Sequence, residues 1–154
     1  MSFLNGNTKL ISVFKNTDYF PIGCLTSNSF SESSEVLETT TRDSVGGWKT
    51  FIPTNQSYSI SFSGLVTVDD IGGTIVSYDD LINLKRNKTL IYWRSQNEKT
   101  GFFNSGRGYI TSLSDSAEID NFIQFDGEIQ GFSFPEILTP SQANTLVANL
   151  VAQL

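Results

Sequence analysis

The sequence predicts a mainly β protein built as one domain. A chain of 154 residues falls near the commonest size of a single domain. Charged residues make up only 17% of it, strong helix formers are few, and the twelve Phe and five Tyr favour strands. Two stretches also alternate between apolar and polar side chains, which is the period of a strand with one buried face.

The first alternating stretch covers residues 55–68, where Tyr58, Ile60 and Phe62 lie between serines. The apolar set continues with Val66 and Val68, and only Gly64 leaves a gap. The second covers residues 123–131, with Ile123, Phe125 and Ile129 on one side. Its other side is acidic, and the residues there are Gln124, Asp126, Glu128 and Gln130. Both stretches are predicted strands.

Four further strands follow from composition and turn signals. Residues 89–94 and 107–113 are rich in aromatic and β-branched side chains, and the polar turn at 97–101 between them indicates a hairpin. Residues 9–15 and 23–30 are predicted as two earlier strands, joined across residues 16–18 and Pro21.

Two helices are predicted. Ser77 can cap a short helix over residues 77–85, with acidic residues in its first turn and basic residues after its last. Thr139 and Gln142 form a capping-box pattern around Pro140, which predicts a helix from 139 to 154. Its apolar stripe consists of Leu146, Val147, Leu150, Val151 and Leu154.

Residues 32–53 lack a regular pattern. A segment this long inside a small domain is more often a functional protrusion than a connector. We expect residues 34–54 to form a long protruding loop, with Trp48 and Phe51 exposed near the tip. A small domain has little room to bury this apolar surface together with the terminal helix, so the sequence favours assembly.

The residue types needed for most catalysis are missing. The chain has no His and one Cys, which removes the usual nucleophile and base pairs and most transition-metal sites. Neighbouring side chains diverge in Asp69-Asp70 and in Asp79-Asp80, so neither pair forms a two-carboxylate site. Residues 101–108 lack the ending of a phosphate-binding loop and indicate a turn with a bulge instead. No catalytic residue, metal or cofactor is predicted, and Cys24 is expected to be a buried apolar side chain.

The formal net charge of −6 argues against wrapping around a nucleic-acid backbone, since that binding depends on Lys and Arg. It is compatible with a pore whose wall repels phosphate. The first residues lack a basic and apolar leader, and no apolar run reaches membrane-spanning length. We therefore expect a chain made in a cytoplasm and no membrane insertion.

Several short stretches, in order, resemble the major tail tube proteins of tailed bacteriophages. They are Gly23-Cys24-Leu25, Ser29-Phe30-Ser31-Glu32, Thr39-Thr40-Thr41-Arg42-Asp43-Ser44, Gly46-Gly47-Trp48, the strand from Tyr58 to Gly64, the strand from Gly106 to Ser114, and Gly127-Glu128-Ile129-Gln130-Gly131. The resemblance runs from about Lys15 to Phe132. The helix that begins at Pro140 lies outside it.

The resemblance implies a β-sandwich or half-barrel with a short flanking helix. Six copies of such a chain form a ring, and rings stack into a tube in the virion tail that carries DNA and a tape-measure protein. It further implies partners at the two ends of the tube, namely a tail terminator and distal tail or baseplate proteins, with a sheath as an additional candidate. The chain is then made in the cytoplasm of a bacterial host.

Two sets of candidate residues follow. The interface set contains Thr40, Arg42, Asp43, Trp48 and Phe51, together with Leu146 and Leu150 of a helical arm. The set that would line the lumen contains Ser57, Ser59, Ser61, Gln124, Asp126 and Glu128. Strand period alone does not say whether these polar faces look into the lumen or onto outer solvent.

Three other functions remain open at this stage. A tail terminator and a secretion-system tube protein share the expected fold. A carbohydrate-binding β-sandwich, of a different class, would use Trp48, Tyr92 and Trp93 on one face.

Overall fold

A computed structural model describes residues 9–15, 17–42, 45–66, 75–96 and 101–154. It contains one seven-stranded antiparallel sheet with the order β2-β1-β5-β6-β7-β4-β3. The strands are β1 (Ile11–Lys15), β2 (Asp18–Pro21), β3 (Leu25–Glu38), β4 (Phe51–Leu65), β5 (Ile91–Gln96), β6 (Phe103–Ser116) and β7 (Gln124–Leu138). The helices are α1 (Tyr78–Arg86) and α2 (Pro140–Ala152).

The alternation predicted for β4 is confirmed. Tyr58, Ile60 and Phe62 are at most 3% exposed, and the serines between them look away from the core. Phe125 and Ile129 of β7 lie on the same buried side. Val68, at the end of the predicted strand, lies outside the described residues.

The sheet rolls up so that its two halves face each other. Trp93 on β5 and Phe30 on β3 are four strands apart, which in a flat sheet is about 19 Å. Their ring centroids are nevertheless 5.8 Å apart, and Tyr58 on β4 lies 5.7 Å from Trp93. The core is therefore enclosed by one continuous sheet, as expected for a half-barrel.

Both helices begin at the predicted caps. Ser77 and Asp80 form a capping box at α1, and Thr139 and Gln142 form one at α2. Leu81 of α1 joins the main core. Helix α2 contacts β2 and β7 and lies apart from that core.

Residues 34–54 are not an irregular loop, and this prediction is wrong for most of the segment. β3 and β4 pair as far as Glu38 and Phe51, which leaves only residues 39–50 as a connection. A register shift between Ser34 and Val36 allows the hairpin to continue. The mixed local signal hid a long hairpin, because these strand residues are exposed on both faces and show no alternation.

Three smaller predictions also need correction. The segment predicted to connect the first two strands instead contains β2, which pairs with β1. Cys24 is exposed, because its positive φ of 52° belongs to the turn before β3. Ile123 is 44% exposed, since it lies in the turn before β7, which begins one residue later. The predicted bulge is confirmed between Ser105 and Arg107, while residues 97–100 lie outside the described part.

Candidate assembly surfaces

The four long strands carry one continuous polar face on the side away from the core. Register places Ser61 opposite Glu128, and Ser63 opposite Asp126. Glu128 and Asp126 are in turn opposite Ser112 and Ser114 on β6. The polar face consists of Ser27, Ser29, Ser31, Ser33, Ser57, Ser59, Ser61, Ser63, Ser112, Ser114, Ser116, Gln124, Asp126, Glu128 and Gln130. The six predicted lumen residues all belong to it.

Serine pairs tie β3 to β4 across this face. The hydroxyl oxygens are 2.5 to 3.2 Å apart in the pairs Ser27–Ser63, Ser29–Ser61, Ser31–Ser59 and Ser33–Ser57. Each hydroxyl can both donate and accept a hydrogen bond, so a paired serine keeps an acceptor for water. The face is thus hydrated and carries the carboxylates of Asp126 and Glu128.

The β3–β4 hairpin leaves the sheet as an arm. β4 pairs with β7 only from Ser59 onward, so residues 32–58 form a two-stranded arm of about 26 Å beyond that point. The arm tip is apolar and exposed; it comprises Val36 (60% exposed), Leu37 (57%), Trp48 (78%), Phe51 (62%) and Ile52 (51%). Leu37 faces Ile52 directly across the hairpin. A tip this apolar indicates a contact surface.

The predicted interface residues that the structure describes lie on the arm and on α2. Trp48 and Phe51 are on the arm tip and Arg42 is exposed nearby, while Asp43 lies outside the described residues. The hydroxyl of Thr40 accepts a hydrogen bond from the Thr50 amide at 3.0 Å, which holds the connection together. Leu150 is only 6% exposed within its own subunit, and Leu146 lines a groove between α2 and the sheet.

β4 and β7 separate beyond the pair Ser59–Gln130. The Tyr58 ring lies over Gly131, where an added Cβ would clash with the ring, and its hydroxyl donates to the Arg107 carbonyl at 2.6 Å. Beyond this junction the two strands border a cleft of about 420 Å³ that includes Ser57 and Phe134. The Tyr58 ring therefore fills the space between β4 and β7 where the arm leaves the sheet.

Several strand edges carry no partner strand in the part of the chain that the structure describes. The two strands at the ends of the order, β2 and β3, each have a free outer edge. The half of β6 from Tyr109 to Ser116 is also free, since β5 pairs only with Phe103 to Gly108. Unpaired edges invite pairing with another chain.

The connection between β6 and β7 forms a second apolar prominence. It contains Ile119 (95% exposed), Phe122 (75%) and Ile123 (44%). These side chains were not in the interface set, because Ile123 looked like part of a strand and Ile119 stood alone among polar residues. The signal available in the sequence was three large apolar side chains in a turn.

The described residues hold no group of three or more potential metal ligands. None of the helices described is both long and apolar enough to cross a membrane. The glycan platform of the alternative carbohydrate-binding function is not formed, because Trp93 is fully buried, Tyr92 faces the opposite side of β5 and Trp48 is on the arm tip.

Residues 3–135 match the family of phage tail tube proteins. The chain belongs to this family. Its members are structural proteins, which agrees with the surfaces described above. The match ends before α2, so the terminal helix lies outside the matched region, as the sequence resemblance implies.

Solved tail tubes share the fold of this phage tail tube protein. A chain from the tail of an empty gene transfer agent particle, refined with C6 symmetry, has a TM-score of 0.77 at 17% identity and covers 89% of this chain and 100% of its own. The SPP1 tail tube has a TM-score of 0.70 at 11% identity, covering 95% and 86%. A chain of the anti-feeding prophage baseplate has a TM-score of 0.62 at 9% identity, covering 90% and 97%. No curated protein sequence matches significantly.

Proposed function

We propose that six copies of this tail tube protein close into a ring and that the rings stack into a tube whose lumen is lined by the polar face. The observation that carries this proposal is the position of the polar face between the free edge of β3 and the free half of β6. The C6 symmetry of the similar gene transfer agent tail supports six as the ring number.

Ring closure would join the free edge of β3 to the free half of β6 in the next copy. Main-chain hydrogen bonds then continue the sheet from subunit to subunit and remove the exposed edges. β3 belongs to the polar face through its serines, and β6 through Ser112 and Ser114. The polar face therefore continues around the ring.

The chemistry of this face suits a passage for DNA. Asp126 and Glu128 place two carboxylates per subunit on it, and the surrounding hydroxyls bind water. Negative charge repeated around a narrow lumen repels phosphate, so a passing DNA would not adhere. A tape-measure protein would occupy the same lumen before DNA, and terminator and distal tail or baseplate proteins would contact the two ends of the tube.

The arm would make the contact between rings. Its exposed Trp48 and Phe51 lose contact with water when a neighbouring ring covers them, which favours stacking by the hydrophobic effect. Arg42 and Asp43 belong to the same connection. Leu150 is buried within its own subunit, so the proposed contact between rings does not include it.

Shortening the arm tests the proposed stacking. Thr39 and Thr50 are paired through the Thr39 amide and Thr50 carbonyl at 2.8 Å, so Asn-Gly can replace residues 40–49 as a two-residue turn. We expect unchanged far-ultraviolet circular dichroism and thermal unfolding, with no tubes in negative-stain micrographs.

A matched control replaces residues 40–49 by an unrelated polar sequence of the same length, which separates loop length from apolar contact. Tubes of normal length formed by the shortened variant would contradict the stacking role of the arm.

A further inference from the structure

The β6–β7 turn, residues 117–123, presents its apolar side chains through a defined backbone shape. The Asn121 amide donates to the Glu118 carbonyl at 3.3 Å, and Asp120 has a positive φ of 65°. The Phe122 amide donates to Oδ1 of Asn121 at 2.9 Å. This hydrogen-bonded turn holds Ile119 at its apex, where 95% of the residue is exposed.

The turn is acidic as well as apolar. Glu118 and Asp120 lie within it and Asp115 precedes it on β6. The arm connection, residues 39–50, contains two basic residues, Arg42 and Lys49, and one acidic residue, Asp43, and Glu38 adjoins it at the end of β3. Lys49 reaches Glu38 only at 4.0 Å in its own hairpin, which leaves its ammonium group accessible. The two surfaces are thus both apolar, and the connection carries two basic side chains that can pair with the two carboxylates of the turn.

The two surfaces also lie at opposite ends of the same strands. β4 begins at the arm tip with Phe51 and ends at Leu65, which pairs with Gln124 beside the turn. A stack in which every subunit has the same orientation needs two unlike surfaces, one at each end, that fit each other. The arm tip and the turn meet this requirement.

We infer that the β6–β7 turn is the seat on which the arm tip of a second copy of this chain docks from the next ring. The inference rests on the proposed function, because it names the surface that receives the arm. Ile119 and Phe122 would contact the apolar arm tip, and Glu118 and Asp120 would face Arg42 and Lys49.

Cysteine cross-linking tests the contact in assembled tubes. In a Cys24→Ser background, Trp48→Cys and Phe122→Cys are combined in one chain, and tubes are treated with a short bis-maleimide. We expect a ladder on denaturing gels that extends beyond six copies, because each arm reaches a different ring. Tubes mixed from the two single-cysteine variants should give dimers only, and tubes of either single variant alone should give none.

Each other result overturns the inference. A ladder that stops at six copies places the contact within one ring, and dimers from Trp48→Cys alone mean that arms meet each other. Well-formed tubes without cross-links mean that the arm docks elsewhere, while the proposed function stands. Failure of the unsubstituted chain to form any tube overturns the proposed function itself.

If the double cysteine variant does not assemble, reversing the charges on the two surfaces tests the same contact. Glu118→Lys with Asp120→Lys, and separately Arg42→Glu with Lys49→Glu, should each reduce tube yield at least tenfold at physiological salt. Combining all four substitutions should restore most of the yield. Arg86→Glu with Lys88→Glu, at the end of α1, is the matched control and should leave the yield unchanged. Absence of restoration in the fourfold variant overturns the inference.

Discussion

The Tyr19 side chain is buried at 6% exposure with no hydrogen-bond partner for its hydroxyl in the described part of the chain. Burial raises the pKa of Tyr19 to about 12, although the guanidinium of Arg94, 4.5 Å from the ring centroid, opposes the shift. The folded chain therefore disfavours the phenolate. Stability that depends on Tyr19 is fully present below pH 10 and is lost as the pH rises from about 10 through 12.

Tyr19→Phe should remove this alkaline loss. Near pH 12 the unsubstituted chain should lose roughly 2 kcal/mol through Tyr19, while the variant loses only what other groups contribute. At pH 7 the variant should be at least as stable as the unsubstituted chain, because the buried hydroxyl has no hydrogen-bond partner among the described residues. Urea unfolding at pH 7, 9 and 12 measures the difference. Parallel pH profiles for the two proteins would show that Tyr19 is not buried as described.

Tyr58 and Gly131 depend on each other at the junction from which the arm departs. Gly131→Ala places a methyl group in the Tyr58 ring, so we expect a loss of about 1 to 3 kcal/mol in the free energy of unfolding. In a Tyr58→Leu background the same change should cost much less, because the ring is gone. Denaturant titration of the four proteins measures this coupling, and strictly additive losses would contradict it.

Individual buried residues were predictable in strands that have one buried face and one face exposed to solvent. Tyr58, Ile60 and Phe62 follow from alternation with serine alone. The exposure of Cys24 did not follow from its neighbours, because Ile22 and Leu25 predict burial, whereas Cys24 lies in a turn with a positive φ.

At the scale of elements, α2 belongs to its own subunit. Ala143 and Leu150 are buried, apart from the main core, where α2 contacts β2 and β7. Leu150→Ala should lower the free energy of unfolding by about 2 to 3 kcal/mol, since it removes buried methyl groups. Leu154→Ala is the matched control, because Leu154 is 81% exposed and its loss should cost less than about 0.5 kcal/mol.

Thermal and urea unfolding of the two α2 variants distinguish a packed helix from a free docking arm. Equal, small losses for Leu150→Ala and Leu154→Ala would mean that α2 detaches from the sheet in solution. A free α2 would then return Leu146 and Leu150 to the interface set.

Both helices were predictable as elements because their caps are local: Ser77 with Asp80, and Thr139 with Gln142, lie three residues apart. The arm was not predictable as a hairpin. Its pairing joins Glu38 to Phe51 across a twelve-residue connection, and exposure on both faces removes the period that marks a strand. The position of an exposed segment was predictable, and its structure was not.

At the scale of the whole molecule, the core, the proposed lumen wall and the proposed stacking contacts lie on different surfaces of one sheet. The rolled sheet encloses the core, its polar face collects hydroxyls and carboxylates, and its two ends carry the apolar arm tip and the β6–β7 turn. The sequence indicated two separate polar strand faces at Ser57–Ser61 and Gln124–Glu128. Only the register between β4 and β7 shows that they are one face.

A helical reconstruction by electron cryomicroscopy of tubes assembled from this chain tests the account most directly. It should show hollow tubes of stacked six-membered rings, with Asp126 and Glu128 facing the lumen and β3 paired with β6 of the next subunit. A tube with these carboxylates on its outer wall, or a chain that stays monomeric at high concentration, would contradict it.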